Sequence, residues 1–152
     1  MTPRSVSFQG LTTRFLVTGD DAALIEHELA PHALGAPVHT HEHEDETSHV
    51  LAGTLGVELG GETLTLTAGD TLRKPRGVPH TFWNAGDEPV RFLEVVTPGA
   101  FAGYFEDVAP VLDRPGPPDV ATLGAIAGRY GLAMEPETIG RLAEAHALEL
   151  QA

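Results

Sequence analysis

Cysteine is absent from all 152 residues. Disulfides, thiolate metal sites and cysteine nucleophiles are thereby excluded, and any metal ion must be held by nitrogen and oxygen. Basic residues are scarce: eight arginines and a single lysine, Lys74, stand against 22 acidic residues, for a formal net charge of -13. Such a balance repels phosphate backbones, so nucleic acid is not expected as a partner. Long apolar runs are missing as well. Nothing approaches the roughly 18 residues of a bilayer span, and the opening MTPRSVSFQG has no apolar signal core. The expectation is a cytoplasmic protein with no membrane partner, of a length that suits one domain.

Turn signals, in contrast, are plentiful. From Thr13 to about Thr97 they interrupt the chain every 6 to 10 residues, among them GDD at 19, AGT at 52, GGE at 60, AGD at 68 and NAGDEP at 84. That spacing predicts an all-β barrel or sandwich. Between the turns lie strand-like runs such as RFLVT and VRFLEVV, and VELGGETLTLT reads as a hairpin around Gly60-Gly61. After Pro98 the period changes. Phe101, Tyr104, Phe105 and Val108 mark a short helix with one apolar face. A second helix is predicted with Asp119 as N-cap, Val120, Leu123, Ile126 and Tyr130 on one side, and Gly131 past its end. A third starts near Pro136 and carries Ile139, Leu142 and Ala145. The organisation predicted is a β barrel over residues 1–98 with a helical C-terminal extension over 99–152.

Chemistry concentrates in two places. In HTHEHEDE, residues 39–46, strand alternation puts His39 and His41 on one face. A reversal then leaves Glu42, His43, Glu44 and Asp45 at the rim, and Glu46 opens the next strand facing back towards the two histidines. The second place is GDTLRKPRGVPHTFWN, residues 69–84. The 15 residues between, 54–68, suffice for one hairpin, which would bring His80 beside the first three groups. His-rich acidic runs are often only polar loops, so the joint occurrence of both stretches is what argues for a site.

Together the two stretches resemble the cupin family. Its first motif is matched by His39, His41, Glu46 and Gly53, with Gly35 ahead of them, and its second by Gly69, Pro75, Gly77, His80 and Asn84. PGAFAGYFEDVA and AGRYGL in the extension look like segments of small quercetin-dioxygenase-like cupins. The resemblance implies a double-stranded β-helix, a conical barrel or jelly roll of antiparallel strands. It also implies one divalent transition-metal ion (Fe, Ni, Mn, Cu, Co or Zn) at His39, His41, Glu46 and His80. A dioxygenase-like oxidation of a small aromatic or enolic molecule is the leading activity implied, with Glu46 as catalytic base. The alternatives are a redox-neutral isomerase, lyase or hydrolase, and a non-catalytic binding module.

The remaining residues are read by alternation. Phe82 shares the face of His80 and is expected to wall the substrate pocket. Ser48 shares the face of Glu46 and is expected in the same pocket, as is His27, whose simpler reading is a hydrogen-bonded core histidine. His43 is expected at the rim and His49 facing away from the metal. Gly53, Gly69 and Gly77 serve tight turns, Pro75 stiffens one of them, and Asn84 caps a turn. Trp83 is expected on the outside, against the helices or a second subunit, with Phe92 or Leu93 on the outer side of the neighbouring run. That apolar surface predicts a homodimer.

Overall fold

The structure is a computed structural model and describes residues 3–150; residues 1–2 and 151–152, at the outer ends of the two predicted segments, lie outside the described residues. Twelve strands run as β1 (Arg4–Phe8), β2 (Leu11–Val17), β3 (Ala23–Leu29), β4 (Ala33–Leu34), β5 (Val38–His41), β6 (Asp45–Ala52), β7 (Thr54–Leu59), β8 (Glu62–Thr67), β9 (Thr71–Lys74), β10 (His80–Asn84), β11 (Val90–Thr97) and, far downstream, β12 (Leu132–Glu135). A 3-10 turn (Gly99–Ala102) leads into α1 (Gly103–Leu112), followed by α2 (Val120–Arg129) and α3 (Thr138–His146). All strand pairs are antiparallel, in two six-stranded sheets: β1-β2-β3-β11-β6-β9, and β12-β5-β10-β7-β8 with β4 added against β10. The fold is mostly β, as expected.

Alternation sets the barrel interior. In β3, Ala23, Ile25, His27 and Leu29 are buried while Leu24, Glu26 and Glu28 are less so, and in β11 the inward set is Val90, Phe92, Glu94 and Val96. Of the two residues expected on the outer side, Phe92 is instead fully buried core, and Leu93 is the one that faces outward. The predicted hairpin forms between β7 and β8, with Leu59 paired to Glu62 and both Gly60 and Gly61 at positive φ, +57° and +84°. Only a primed turn matches strand twist across a two-residue loop, and glycine adopts it without a Cβ clash.

Strand β10, HTFWN, departs from alternation because both of its faces are covered. His80, Phe82 and Asn84 face the barrel. Trp83 points outward but is only 3% exposed, stacked on His146 of α3 at 3.9 Å and packed with Val38, Leu142 and Leu148. The chain's own third helix covers it, so the tryptophan leaves no sheet surface bare. Gly56 makes this possible: a Cβ there would lie 2.1 Å from Trp83 Nε1. Gly56→Ala is expected to cost about 1–3 kcal/mol by overpacking, lowering the thermal midpoint by several degrees. Gly124→Ala, inside α2 with nothing within 4 Å of the added Cβ, should instead stabilise by about 0.5–1 kcal/mol. Thermal melts of both variants check the pair.

The extension does more than pack on the barrel. Asp119 caps α2 as expected, accepting from Thr122 N at 3.0 Å, and Gly131 follows the helix at φ +64°. Between α2 and α3, however, β12 joins the second sheet, pairing Leu132 with His41 and Met134 with His39. The strand missing from the sequence reading thus braces the strand that carries two of the candidate metal ligands.

Candidate metal centre

Three strands deliver the four residues. His39 and His41 alternate on β5, Glu46 stands at the start of β6, and His80 opens β10, whose register sets it opposite His39. The turn Arg76-Gly77-Val78 before β10 is held by Gly77, whose N–H donates to His41 O at 2.9 Å and whose φ is +77°. All four side chains are buried, and one ligand atom from each lies within 4.8 Å of the others. The structure therefore brings together the four residues singled out by sequence.

The donor set fits a cation. His39 Nδ1–H donates to Pro37 O at 2.8 Å, His80 Nδ1–H points to Val78 O at 3.3 Å, and His41 Nδ1–H points to Glu44 Oε1 at 3.3 Å. With the Nδ1 positions engaged, the Nε2 lone pairs are left to face inward, the arrangement in which an outer partner fixes the tautomer of a ligating histidine. His41 Nε2 is buried without a hydrogen-bond partner, although Glu46 Oε1 lies 3.1 Å away in poor alignment. Glu46 Oε1 is also 3.1 Å from His80 Nε2. Two acceptors that close repel unless a positive charge lies between them, and ligand atoms about 2.1 Å from one ion at right angles are about 3 Å apart.

Burial pushes the carboxyl of Glu46 up, but the ammonium of Lys74 and the close approach of His41 and His80 hold it well below the usual carboxylate range. Burial holds His39 well below the ordinary imidazole value and lowers His80 too, which keeps both in the neutral, ligating form. In His41 burial is outweighed by Glu46 and Glu44, and the value is raised. Glu44 is itself buried, 7% exposed, against His41. This corrects the expectation that it sits at the rim: its neighbours Glu42 and His43 do, with side chains 71% and 61% exposed.

A cavity of about 90 Å³ opens on one side of the four, touching His39, His41 and Glu46. His27 and Phe82 line it. Ser48 does not; it stands behind the wall, its hydroxyl donated to Glu94 Oε2 at 2.8 Å, so the serine reads as support for an acid and not as pocket space. Two lining residues were missed by sequence reasoning, Lys74 and Glu94, both fully buried and 2.7 Å apart. Burial would discharge a lysine, but the two carboxylates Glu94 and Glu46 outweigh it and raise Lys74. Burial pushes Glu94 up, with Lys74 opposing. The extension supplies Phe101, Tyr104 and Phe105 to the remaining wall.

His27 serves both of its readings. Its Nδ1 meets Thr13 Oγ1 at 2.8 Å, and its ring is enclosed by Phe82, Phe92 and Phe105. Burial lowers its pKa to about 3 from an ordinary 6.5. The unfolded chain thus binds the extra proton first as pH falls. Stability should be complete above pH 6.5 and decline between pH 6.5 and 3, by at most roughly 4–5 kcal/mol from this group. The Thr13→Val/His27→Leu variant should show a shallower pH slope in denaturant melts over that window; an unchanged slope would assign the acid lability elsewhere.

Residues 25–96 match the family described as Cupin domain. Those residues are a cupin domain. The chain is 35% identical over 77 residues to a protein named polyketide synthase CurC of Streptomyces cyaneus, covering 49% of this chain and 50% of that one. It therefore spans about half the length of the curated relative it matches. Among solved structures, it superposes on an RmlC-like cupin of Shewanella frigidimarina with TM-score 0.59 and 22% identity, covering 64% of this chain and 86% of that one. It superposes on a sugar phosphate isomerase of the cupin superfamily from Silicibacter pomeroyi with TM-score 0.54 and 28% identity, covering 59% and 60%. In the cupin barrel, Asn84 closes a turn by donating to Leu29 O and Glu88 O and accepting from Gly86 N. Among the described residues no helix is long and apolar enough to cross a membrane.

Proposed function

We propose that this chain is a mononuclear metal-dependent enzyme, dioxygenase-like, that acts on a small aromatic or enolic molecule. One observation carries the reading: four buried His and Glu side chains with converging ligand atoms stand at the edge of an aromatic-lined cavity that also holds a buried lysine and a second acid. His39, His41, Glu46 and His80 would hold the ion. When bound, a divalent ion supplies Lewis acidity to a substrate oxygen and open positions for oxygen chemistry. The chain's own groups do the rest. Glu46 takes the proton from the acidic O–H or C–H of the substrate, and Phe82, Phe105 and neutral His27 exclude water.

The size of the cavity narrows the substrate. At about 90 Å³ it is far below the roughly 300–1,000 Å³ of pockets for drug-sized ligands. A one-ring or short enolic molecule fits such a space better than a three-ring flavonol. The curated relative is named a polyketide synthase, and polyketides bear enolisable carbonyls, which supports the enolic class. A redox-neutral reaction is favoured by one feature: Glu94 gives the pocket a second carboxyl, raised by burial, opposite a depressed Glu46. Two acids of unequal strength suit proton transfer between carbons.

The test is metal analysis followed by reaction with acetylacetone. Metal-dependent oxygen uptake supports the dioxygenase-like reading. Anaerobic deuterium exchange at the central carbon without oxygen uptake supports the redox-neutral one, and metal-independent binding without either reaction would leave a binding module. A cytoplasmic location belongs to the same proposal. So does a homodimer, for which we propose the outer face of the first sheet, where Val17 and Val95 are 58% and 41% exposed and both align with Leu24. A monomer mass by sedimentation at micromolar concentration would refute it.

A further inference from the structure

The chain places cations on its surface as arginine and keeps its single lysine inside. Lys74 is 3% exposed, at the end of β9, and lines the same cavity as His39, His41 and Glu46. A buried ion pair is a poor device for stability, since an apolar pair of like volume usually serves as well or better. The pair Lys74–Glu94 therefore invites a reason other than folding.

The unused valence of the lysine supplies one. An ammonium has three donors. Its Nζ meets Glu94 Oε1 at 2.7 Å, at an angle poor enough that this oxygen counts as unpartnered, and its next acceptor, Glu46 Oε1, is 3.9 Å away, beyond hydrogen-bond reach. The remaining near neighbour is the face of Phe82, 5.9 Å to the ring centroid. Among the described residues it meets no other acceptor within hydrogen-bond reach, so at least two donors border the cavity unspent. Glu94 is fixed from behind by Ser48, whose hydroxyl holds Oε2 and leaves Oε1 towards the lysine. The stem of Lys74 is thus aimed, and its head is left with bonds to make.

We propose that Lys74 is the oxyanion donor of this pocket, with Glu94 and Ser48 as its positioning residues, and that the ligand is a compact, ring-sized oxyanion. An enolate, phenolate or carboxylate of that size would place its oxygen between Lys74 and the face formed by His39, His41 and Glu46, with its carbon skeleton against Phe82 and Phe105. Arginine would not serve as well here. Its planar fork needs a bidentate partner, whereas the compact ammonium can serve one oxygen beside a metal face. The inference rests on the metal-dependent reading given above and adds the ligand's charge and the residue that selects it.

The test uses the zinc-loaded chain, benzoate as probe and benzamide as its uncharged counterpart. Zinc content is measured first, so a wild-type chain that holds no zinc overturns the metal reading, and this inference with it, before any probe is added. The Lys74→Met/Glu94→Gln variant removes both charges together and leaves no lone charge buried. Benzoate should bind it roughly 10- to 100-fold more weakly than the parent, with benzamide affinity and zinc content unchanged. A second readout needs no variant: in lysine-labelled protein Lys74 gives the one side-chain lysine signal, and saturating benzoate should shift it. Unchanged benzoate affinity in a zinc-retaining variant overturns the assignment of Lys74 and leaves the metal reading standing. A lysine signal that stays still at saturation does the same, even where the variant does not fold.

Discussion

His80→Ala is expected to empty the metal centre, Glu44→Ala to weaken it, and His43→Ala to leave it unchanged. The order follows from position. His80 supplies one of four converging ligand atoms and stands opposite His39 in the β10–β5 register. Its loss should reduce affinity for a divalent ion by more than the 10- to 100-fold typical of an outer partner. Glu44 is such a partner, 3.3 Å from His41 Nδ1, and its loss should fall within that 10- to 100-fold range. His43 lies two residues from the start of β6 and two from His41, yet its ring is at the rim, 3.6 Å from Glu42 and over Gly131. Metal titration of the three variants with a chromophoric competitor reads the series. Equal loss in His43→Ala and His80→Ala would mean that the chain turns elsewhere after β5.

The reason the site was legible is that its parts have strict local periods. Two histidines one residue apart on a strand share a face whatever the strand packs against. The turn glycines Gly53, Gly69 and Gly77, at φ +81°, +94° and +77°, mark reversals that any barrel of this length needs. The hairpin at Gly60-Gly61 was legible for the same reason. What alternation cannot supply is phase. In VRFLEVVT one set reads Val, Phe, Glu, Val and the other Arg, Leu, Val, Thr, so the sequence left Phe92 or Leu93 as the outward residue, and the observed phase turns Glu94 inward. Its cost is offset by Lys74, 2.7 Å away but 20 residues distant in sequence, which no local pattern displays. The same blindness hid β12. Leu132, Ala133, Met134 and Glu135 are helix formers by propensity, and pairing with β5 overrides that preference. Trp83 was placed on the correct side of β10, but its cover by α3 is a tertiary fact.

Glu46→Gln should separate ligand from base at the centre of the proposed chemistry. A carboxylate there has two possible duties: it lends an oxygen to the ion, and it takes a proton when substrate displaces water. Glutamine keeps the size and one oxygen donor but cannot act as a general base at neutral pH. The surroundings sharpen the contrast. Glu46 Oε1 lies 3.1 Å from the Nε2 atoms of both His41 and His80, and Lys74 Nζ is 3.9 Å away. The variant therefore retains its packing and loses a charge that three neighbours hold in the ionised form. It should stay folded and bind metal more weakly. At matched metal occupancy, turnover of an enolic substrate should fall by roughly 10²- to 10⁴-fold, the usual contribution of a positioned base. The control is substrate affinity, which should change far less, because Lys74 and the aromatic walls are untouched. Parent-level turnover in the metal-filled variant would reduce Glu46 to a ligand. The proton would then have to leave by Glu94, the other carboxyl facing the cavity, and Glu94→Gln would become the variant that loses the 10²- to 10⁴-fold expected of a base.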